Sequence, residues 1–367
     1  MTDTMTTVAP SLSAIGRVLP EHYYSSETLS QALWHAWGST PEHASGSPQE
    51  RARYERIHRS AGVRGRHLAL PLEAYAGLQS FADSNAAWIQ AASDLGTDAV
   101  VTALAKAGLV PRDVDHVFFN TVTGIASPSI DVKVINRLGM RTDVKRTPIF
   151  GLGCVGGAAG TARAADYLRA FPDHVALLLS VELCSLTLQL HDRSIANVIA
   201  TALFGDGAAA VVLTGGARAE RPCGPRVVAS RSLFFPDTEE IMGWEIEDTG
   251  FRVVLTGGIP DLIRRELRGA VDGFLAEHGL RRPDVGHWIA HTGGPKVLRA
   301  MEESLELAPD ALARSWKSLA EVGNLSSASV LFVAGDFLDA DVARPGDYGV
   351  LLSMGPGFCG ELVLLQW

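Results

Sequence analysis

Cysteine is scarce and scattered. Four of 367 residues, Cys154, Cys184, Cys223 and Cys359, form no CxxC pair, which argues against a zinc ribbon or a disulfide framework and leaves any reactive one as a free thiol. Positive charge is also in deficit. Thirty-two Lys and Arg against 41 Asp and Glu give a net charge of -9, so polyanions are repelled overall and a nucleic-acid-coating role is excluded. An anionic partner therefore needs a local basic patch. No window approaches the ~18 unbroken apolar residues of a membrane span. Met1 to Pro10 has neither the basic start nor the apolar run of a signal peptide, so a cytoplasmic location is expected. What is abundant is core: 47% of residues are hydrophobic and 20% charged, the profile of a well-cored globular protein.

Strand and helix signals alternate along the chain. Residues 1 to 12 lack apolar periodicity and read as a frayed arm. Helical stretches follow near Glu27 to Trp37 and Pro48 to Ala61, within a polar, aromatic and Arg-rich region from Val18 to Leu70. Helices are expected at Asp94 to Ala107, Ile130 to Leu138, Thr161 to Ala170, Pro260 to His278, Pro295 to Leu305 and Asn324 to Phe337. Strands are expected at Asp115 to Asn120, Thr147 to Phe150, His174 to Leu183, a segment ending at Leu213 after a turn at Gly205 to Gly207, Val227 to Leu233, Phe251 to Leu255, His287 to His291, Tyr348 to Ser353 and Gly360 to Gln366. Gly215 to Pro225, rich in Gly, Ala, Arg and Pro, has the composition of a linker. It divides the chain into two α/β halves, 1–219 and 220–367, each a βαβ-rich unit around a buried sheet. No residue-level repeat connects them.

Three Gly-marked turns carry chemistry-bearing side chains. Cys154 sits in GLGCVGG between a strand and a helix, where glycines permit close approach of a substrate and a helix N-terminus biases a thiol toward the thiolate that attacks carbonyls. The same features suit a small buried residue in a tight turn. His291 closes an apolar strand and enters HTGGP, as a structural histidine or as one aimed into a cavity. Asn324 in EVGNLSSAS reads as an N-cap or as an amide donor. Together, a thiol, an imidazole and an amide can form a nucleophile, its acid/base partner and an oxyanion donor.

Read in order, GLGCVGG, FGDGAAA at Phe204 to Ala210, HTGGP at His291 to Pro295, GNLSSAS at Gly323 to Ser329 and SMGPG at Ser353 to Gly357 resemble the signatures of type III polyketide synthases, the chalcone-synthase-like enzymes, over nearly the whole chain. The resemblance implies a thiolase fold of five layers, αβαβα, built from two pseudo-equivalent halves. It also implies a homodimer, no metal and no organic cofactor, with an acyl-CoA starter and malonyl-CoA as substrates. It implies that Cys154 holds the growing chain as a thioester, that His291 and Asn324 stabilise the enolate formed as malonyl loses carbon dioxide, and that His291 is the imidazolium keeping Cys154 ionised. Phe204 aligns with a gatekeeping phenylalanine; Thr123, Ser127, Cys184, Thr187, Trp244 and Ser326 align with the substrate pocket.

Arg53, Arg56, Arg59 and Lys296 align with the coenzyme A entrance. Arg53, Arg56 and Arg59 would share one helix face, with Arg64 and Arg66 following; Ser60 stands where the family has a third lysine, which Arg59 replaces. Met354, Ser127 and Trp244 depart from the plant enzymes, against a chalcone-type cavity. The small residues Thr123, Ser127 and Cys184 align with the acyl tunnel of alkylpyrone-forming bacterial relatives, so an aliphatic starter and an alkyl-bearing pyrone or resorcinol are expected.

Three rival readings remain at this point. Ketoacyl-ACP synthase III enzymes share the fold and the Cys, His, Asn set, but HTGGP and SMGPG favour the polyketide synthase. A papain-like hydrolase has the same residue order, yet Cys154 is mid-chain and followed by Val155. A non-catalytic acyl-binding relative would have lost one of the three positions, and all three are present.

Overall fold

The computed structural model of the chain describes residues 9–38, 47–218 and 224–367. Cys223, the boundary expected at 219/220 and the first eight residues of the expected arm lie outside them. The strands are β1 (Ser11–Val18), β2 (His22–Ser25), β3 (Gly65–Leu68), β4 (His116–Thr121), β5 (Lys145–Phe150), β6 (Val175–Leu183), β7 (Asp206–Thr214), β8 (Arg226–Phe234), β9 (Met242–Glu247), β10 (Gly250–Leu255), β11 (Val285–Ala290), β12 (Tyr348–Gly355) and β13 (Cys359–Gln366). The helices are α1 (Ser26–Gly38), α2 (Pro48–Ser60), α3 (Phe81–Ala107), α4 (Ile130–Leu138), α5 (Gly156–Ala170), α6 (Ile195–Leu203), α7 (Ile259–Glu277), α8 (Pro295–Leu305), α9 (Ala313–Val322) and α10 (Ser329–Ala340).

Nine strands run β11-β12-β13-β8-β1-β7-β6-β4-β5, with the two halves meeting at a single pairing of Ser11 with Arg226. On either side of that join the plan repeats. In the N-terminal half β1 is antiparallel to β7, β7 antiparallel to β6, and β6, β4 and β5 mutually parallel. In the C-terminal half β8 is antiparallel to β13, β13 antiparallel to β12, and β12 parallel to β11. The second half thus reproduces four of the first half's five positions, without a counterpart of β5.

Burial alternates along the inner strands and defines the layers. Leu178, Val211, Phe118 and Leu351 point into a central core with α5 and α10. Their neighbours Leu177, Leu179, Val212 and Phe119 point outward to α3, and Val350, Leu352 and Leu362 outward to α7 and α8. The two halves of this sheet form the two β layers, and the three apolar seams between and around them give αβαβα, as expected. Helix α5 can occupy the middle because its face is Gly and Ala: a Cβ on Gly157 would collide with the Ser327 carbonyl at the start of α10.

Several boundaries differ from the sequence expectation. Ser11 and Leu12 belong to β1, a strand beside the join of the halves, and not to an arm. Helix α3 begins at Phe81, thirteen residues before Asp94, behind a Ser80 cap whose hydroxyl accepts from the Asp83 N–H. Asp206 and Gly207 open β7 instead of completing a turn. No helix among the described residues is long and apolar enough to cross a membrane.

Candidate active site

Cys154 lies in a single 3-10 turn, Gly153–Val155, between β5 and α5. It is buried, and its Sγ is 3.8 Å from the Ser326 hydroxyl. Burial pushes the thiol up to about 12, with the nearby Glu182 carboxylate acting in the same direction and contacts to Ser326 and Asn324 opposing it. Desolvation thus favours the thiol, against the bias toward thiolate expected from the turn.

His291 follows β11, its N–H donating to the Leu352 carbonyl at 2.9 Å. Only 2% of the residue is exposed, and neither ring nitrogen has a hydrogen-bond partner among the described residues. Burial pulls its pKa down to about 3. Burial thus favours a neutral ring, with one donor and one acceptor, over the imidazolium implied by the resemblance.

Asn324 is held by its backbone, donating to Leu203 at 2.8 Å and accepting from Gly205 at 3.0 Å. Its Oδ1 accepts from the Ser326 N–H at 2.8 Å and the Ser329 hydroxyl at 3.2 Å. Asn324 is not the cap of a helix, since Leu325 and Ala328 hold the cap positions of the 3-10 turn and of α10; its oxygen instead closes a local turn, and that engagement leaves Nδ2 as the donor. Ser326 itself has φ 48°, a left-handed conformation that a non-glycine residue adopts at some cost.

These turns converge. The Thr292 hydroxyl donates to the Gly323 carbonyl at 3.4 Å, tying the His291 turn to the Asn324 turn. Leu352, which holds His291, is three residues before Gly355, and a Cβ on Gly355 would lie 3.3 Å from the Cys154 nitrogen. The end of β12 therefore braces both. The 3-10 turns that precede α5 and α10 carry Cys154 and Ser326.

Beside this centre is a cavity of about 250 Å³ whose lining includes Cys184, Thr187, Phe204 and Trp244 together with the apolar side of α1. Phe204 joins cavity and centre, since its backbone pairs with Asn324 as an isolated bridge. Thr123 and Ser127 are not in the lining. The Thr123 hydroxyl is engaged with Glu182 at 2.9 Å, Leu183 N–H at 3.0 Å and the Trp88 indole at 3.3 Å, and Ser127 is exposed on the loop after β4. Met354 is buried in the outer core of the C-terminal half.

Two family descriptions cover nearly all of the chain: chalcone and stilbene synthases, N-terminal domain, over residues 4–217, and the corresponding C-terminal domain over 226–367. The chain belongs to the chalcone and stilbene synthase family. It is 52% identical to a 1,3,6,8-tetrahydroxynaphthalene synthase of Streptomyces peucetius subsp. caesius, over 97% of this chain and 93% of that one. A putative chalcone synthase of Bacillus subtilis (strain 168) is 36% identical over 83% of this chain and 86% of its own. The crystal structure of the 1,3,6,8-tetrahydroxynaphthalene synthase of Streptomyces coelicolor A3(2) superimposes with a TM-score of 0.90 at 29% identity, covering 97% of this chain and 99% of that one. The protein is thus a type III polyketide synthase, a condensing acyltransferase of the bacterial kind, and its five-layered fold is the thiolase fold of these relatives.

Of the residues expected at a coenzyme A entrance, Arg53, Arg56 and Arg59 are exposed on α2, and Lys296 is exposed in the first turn of α8. Gly62, just past α2, faces the Pro295 ring that starts α8, so the two elements adjoin. Arg66 departs from the basic run: it is buried, and burial pulls its guanidinium down to about 10.

Sequence reasoning passed over two buried acids. Glu182 accepts from the Val122 N–H at 3.1 Å, from Thr123 and from Ser327, and burial raises it to about 7. Asp206 accepts from the Ala69 N–H at 2.6 Å, the Ser185 N–H at 2.8 Å and the Ser185 hydroxyl, and burial raises it to about 6. The Asp206 signal was in view, inside FGDGAAA; nothing local marks Glu182.

Proposed function

We propose that Cys154 takes an acyl group from coenzyme A as a thioester while His291 accepts the thiol proton, coenzyme A leaving with a proton. Asn324 Nδ2 and the His291 N–H then hold the thioester carbonyl of malonyl-CoA, so that loss of carbon dioxide leaves a stabilised enolate. The enolate carbon attacks the acyl carbonyl on Cys154, and the sulfur departs as the new carbon–carbon bond forms. The observation that carries this reading is the convergence on one buried centre of a thiol, an imidazole with both nitrogens unpartnered and an amide whose oxygen is already engaged. A neutral imidazole suits it, because it can donate to the carbonyl through one nitrogen and accept the thiol proton through the other. Arg53, Arg56, Arg59 and Lys296 supply the local positive charge that a net-acidic chain needs to meet the phosphates of coenzyme A.

For the starter, the inference is a compact acyl group and a polyketide aromatic. The relative at 52% identity is a synthase of 1,3,6,8-tetrahydroxynaphthalene, a ten-carbon skeleton with oxygen on alternate carbons, which corresponds to five two-carbon units. Two of the three small residues aligned with an alkyl tunnel, Thr123 and Ser127, do not line the cavity. The apolar lining, with Leu29, Leu33, Leu68 and Leu190 beside Cys184, favours the aliphatic starter as the second reading. Mass spectrometry of products from malonyl-CoA alone and with starters of increasing chain length separates them. The expected result is a naphthalene-type product from malonyl-CoA alone. A yield that appears only with added acyl-CoA and climbs with tail length, by up to ~0.8 kcal/mol of affinity per methylene, would favour the alkyl reading; no product under any condition would overturn the function.

The synthase is further inferred to act as an isologous homodimer. Ile125 and Phe150, 47% and 56% exposed, crown the ends of the adjacent strands β4 and β5 next to Gly151 and the Cys154 turn, an apolar surface suited to cover by a second copy. Sedimentation at micromolar concentration is expected to give twice the chain mass. A monomer would refute it.

A further inference from the structure

Arg66 is 3% exposed, yet no carboxylate lies within ion-pairing distance of it among the described residues. The buried Asp206 carboxylate acts on it from beyond that distance, Nε has no hydrogen-bond partner among the described residues, and a guanidinium so placed is costly unless its other donors are used. Nη1 uses them on backbone: it donates to the carbonyls of Thr201 and Phe204, the latter at 3.1 Å. Both carbonyls sit at the end of α6, where the last turn of a helix leaves acceptors unfilled.

The methylene stem does a second task. A Cβ on Gly323, which has φ 77°, would lie 2.5 Å from the Leu203 carbonyl and 3.3 Å from Arg66 Cγ and Cδ; a Cβ on Gly205 would lie 3.5 Å from Arg66 Cβ. The side chain is thus wedged against both segments that bracket Phe204 and Asn324. Those segments are joined by the Asn324 to Leu203 and Gly205 to Asn324 backbone bonds and the Phe204 bridge. The strand that carries Arg66, β3, is fastened to the same region: the Arg64 N–H donates to Ala320 at 2.8 Å, and the Arg64 side chain pairs with Glu321 at 3.1 Å, on the helix that runs into Gly323.

We propose that Arg66 is a positioning residue for decarboxylation: by holding the Thr201 and Phe204 carbonyls and filling the space beside Gly205 and Gly323, it sets where the Asn324 amide points and where Phe204 stands at the cavity. This rests on the donor role assigned to Asn324 above. Cys154 belongs to a different turn, so the effect of Arg66 divides the two half-reactions. Loss of the guanidinium displaces the donor for malonyl and spares the nucleophile.

The experiment measures, in the full-length synthase, release of acetyl-CoA from malonyl-CoA and, separately, acylation of Cys154 by intact mass. Arg66→Met keeps the stem and removes the donors. It is expected to lower decarboxylation about 100-fold, the scale of a lost oxyanion donor, and acylation by less than about threefold. Arg66→Lys, which can serve one carbonyl, should recover part of the loss. In an Asn324→Ala background Arg66→Met should cause no further loss of decarboxylation, since two residues acting through one contact are not additive. Equal loss of both half-reactions, or a full multiplicative effect on top of Asn324→Ala, would overturn the proposal. Should Arg66→Met fail to fold, Arg66→Lys is read by the same ratio, with circular dichroism checking its fold, and an unchanged ratio counts against it. Absence of decarboxylation in the unaltered protein overturns the proposed function itself, and with it this inference.

Discussion

Replacing Cys154 with alanine is expected to reduce acyl loading and chain extension to background while leaving malonyl-CoA decarboxylation within about tenfold of the unaltered rate, since that step needs carbonyl donors and not the sulfur. The structure supports the separation. Cys154 is delivered by the turn after β5, whereas the donors come from the turns after β11 and α9, so deleting one sulfur leaves their mutual bracing intact. His291→Ala should behave differently, losing decarboxylation by about 10²–10³-fold and slowing loading as well, because the same imidazole receives the thiol proton. Intact-mass measurement of the acylated protein, beside acetyl-CoA release, checks both. A Cys154→Ala protein that still elongates would place the nucleophile elsewhere, and a His291→Ala protein that decarboxylates normally would remove the imidazole from the donor pair.

The second large effect is on stability. Asp206→Ala should destabilise the fold by about 2–4 kcal/mol, because it strands the half-buried Ala69 N–H and Ser185 N–H and takes an acceptor from the Ser185 hydroxyl, and each unsatisfied buried group costs about 1–3 kcal/mol. The Ser185 hydroxyl also meets Tyr75 at 2.5 Å, so the loss spreads into the segment that carries Cys184 and Thr187. Asp206→Asn should cost less: its oxygen replaces one acceptor, while its amide nitrogen faces a backbone donor. Urea denaturation at pH 7 reads the difference. A midpoint for Asp206→Ala equivalent to less than about 1 kcal/mol would show that Asp206 is not a structural hub.

What could be read from the sequence follows the range of the interactions. Motif-marked turns were legible because each of Cys154, His291 and Asn324 has its glycines within a few residues of it along the chain, and strands such as β6 because both faces are buried and the text is almost wholly apolar. Strand β1 was missed for the opposite reason: SLSAIGRV alternates weakly, and its burial comes from α3 and from both flanking strands. The first half of α3, with α6, α9 and β9, likewise depends on partners distant in sequence. Arg66 is the plainest case. Beside Arg64 it reads as one more surface cation, and only a fold that brings in Phe204, 138 residues away, makes it a buried clamp. The pull of burial on the His291 ring was equally illegible, because desolvation belongs to the surroundings and not to the motif.

The hairpin of β9 and β10 forms a two-stranded sheet of its own, in which Trp244 stands opposite Val253 and both line the cavity. Its strand pairing runs within the ribbon, tied to the rest by the Gln189 amide donating to the Thr249 and Phe251 carbonyls, while the turns that carry Cys154, His291 and Asn324 hang on the nine-stranded sheet. Substitutions on the ribbon's inner face can therefore reshape the chamber without disturbing any register on which the chemistry relies. That gives a lineage of such synthases an inexpensive dial: product size can drift by exchange of one or two ribbon side chains while the condensing machinery stays under purifying selection, and a library confined to positions 244 and 253 should retain the fold in most members while spreading their product profiles.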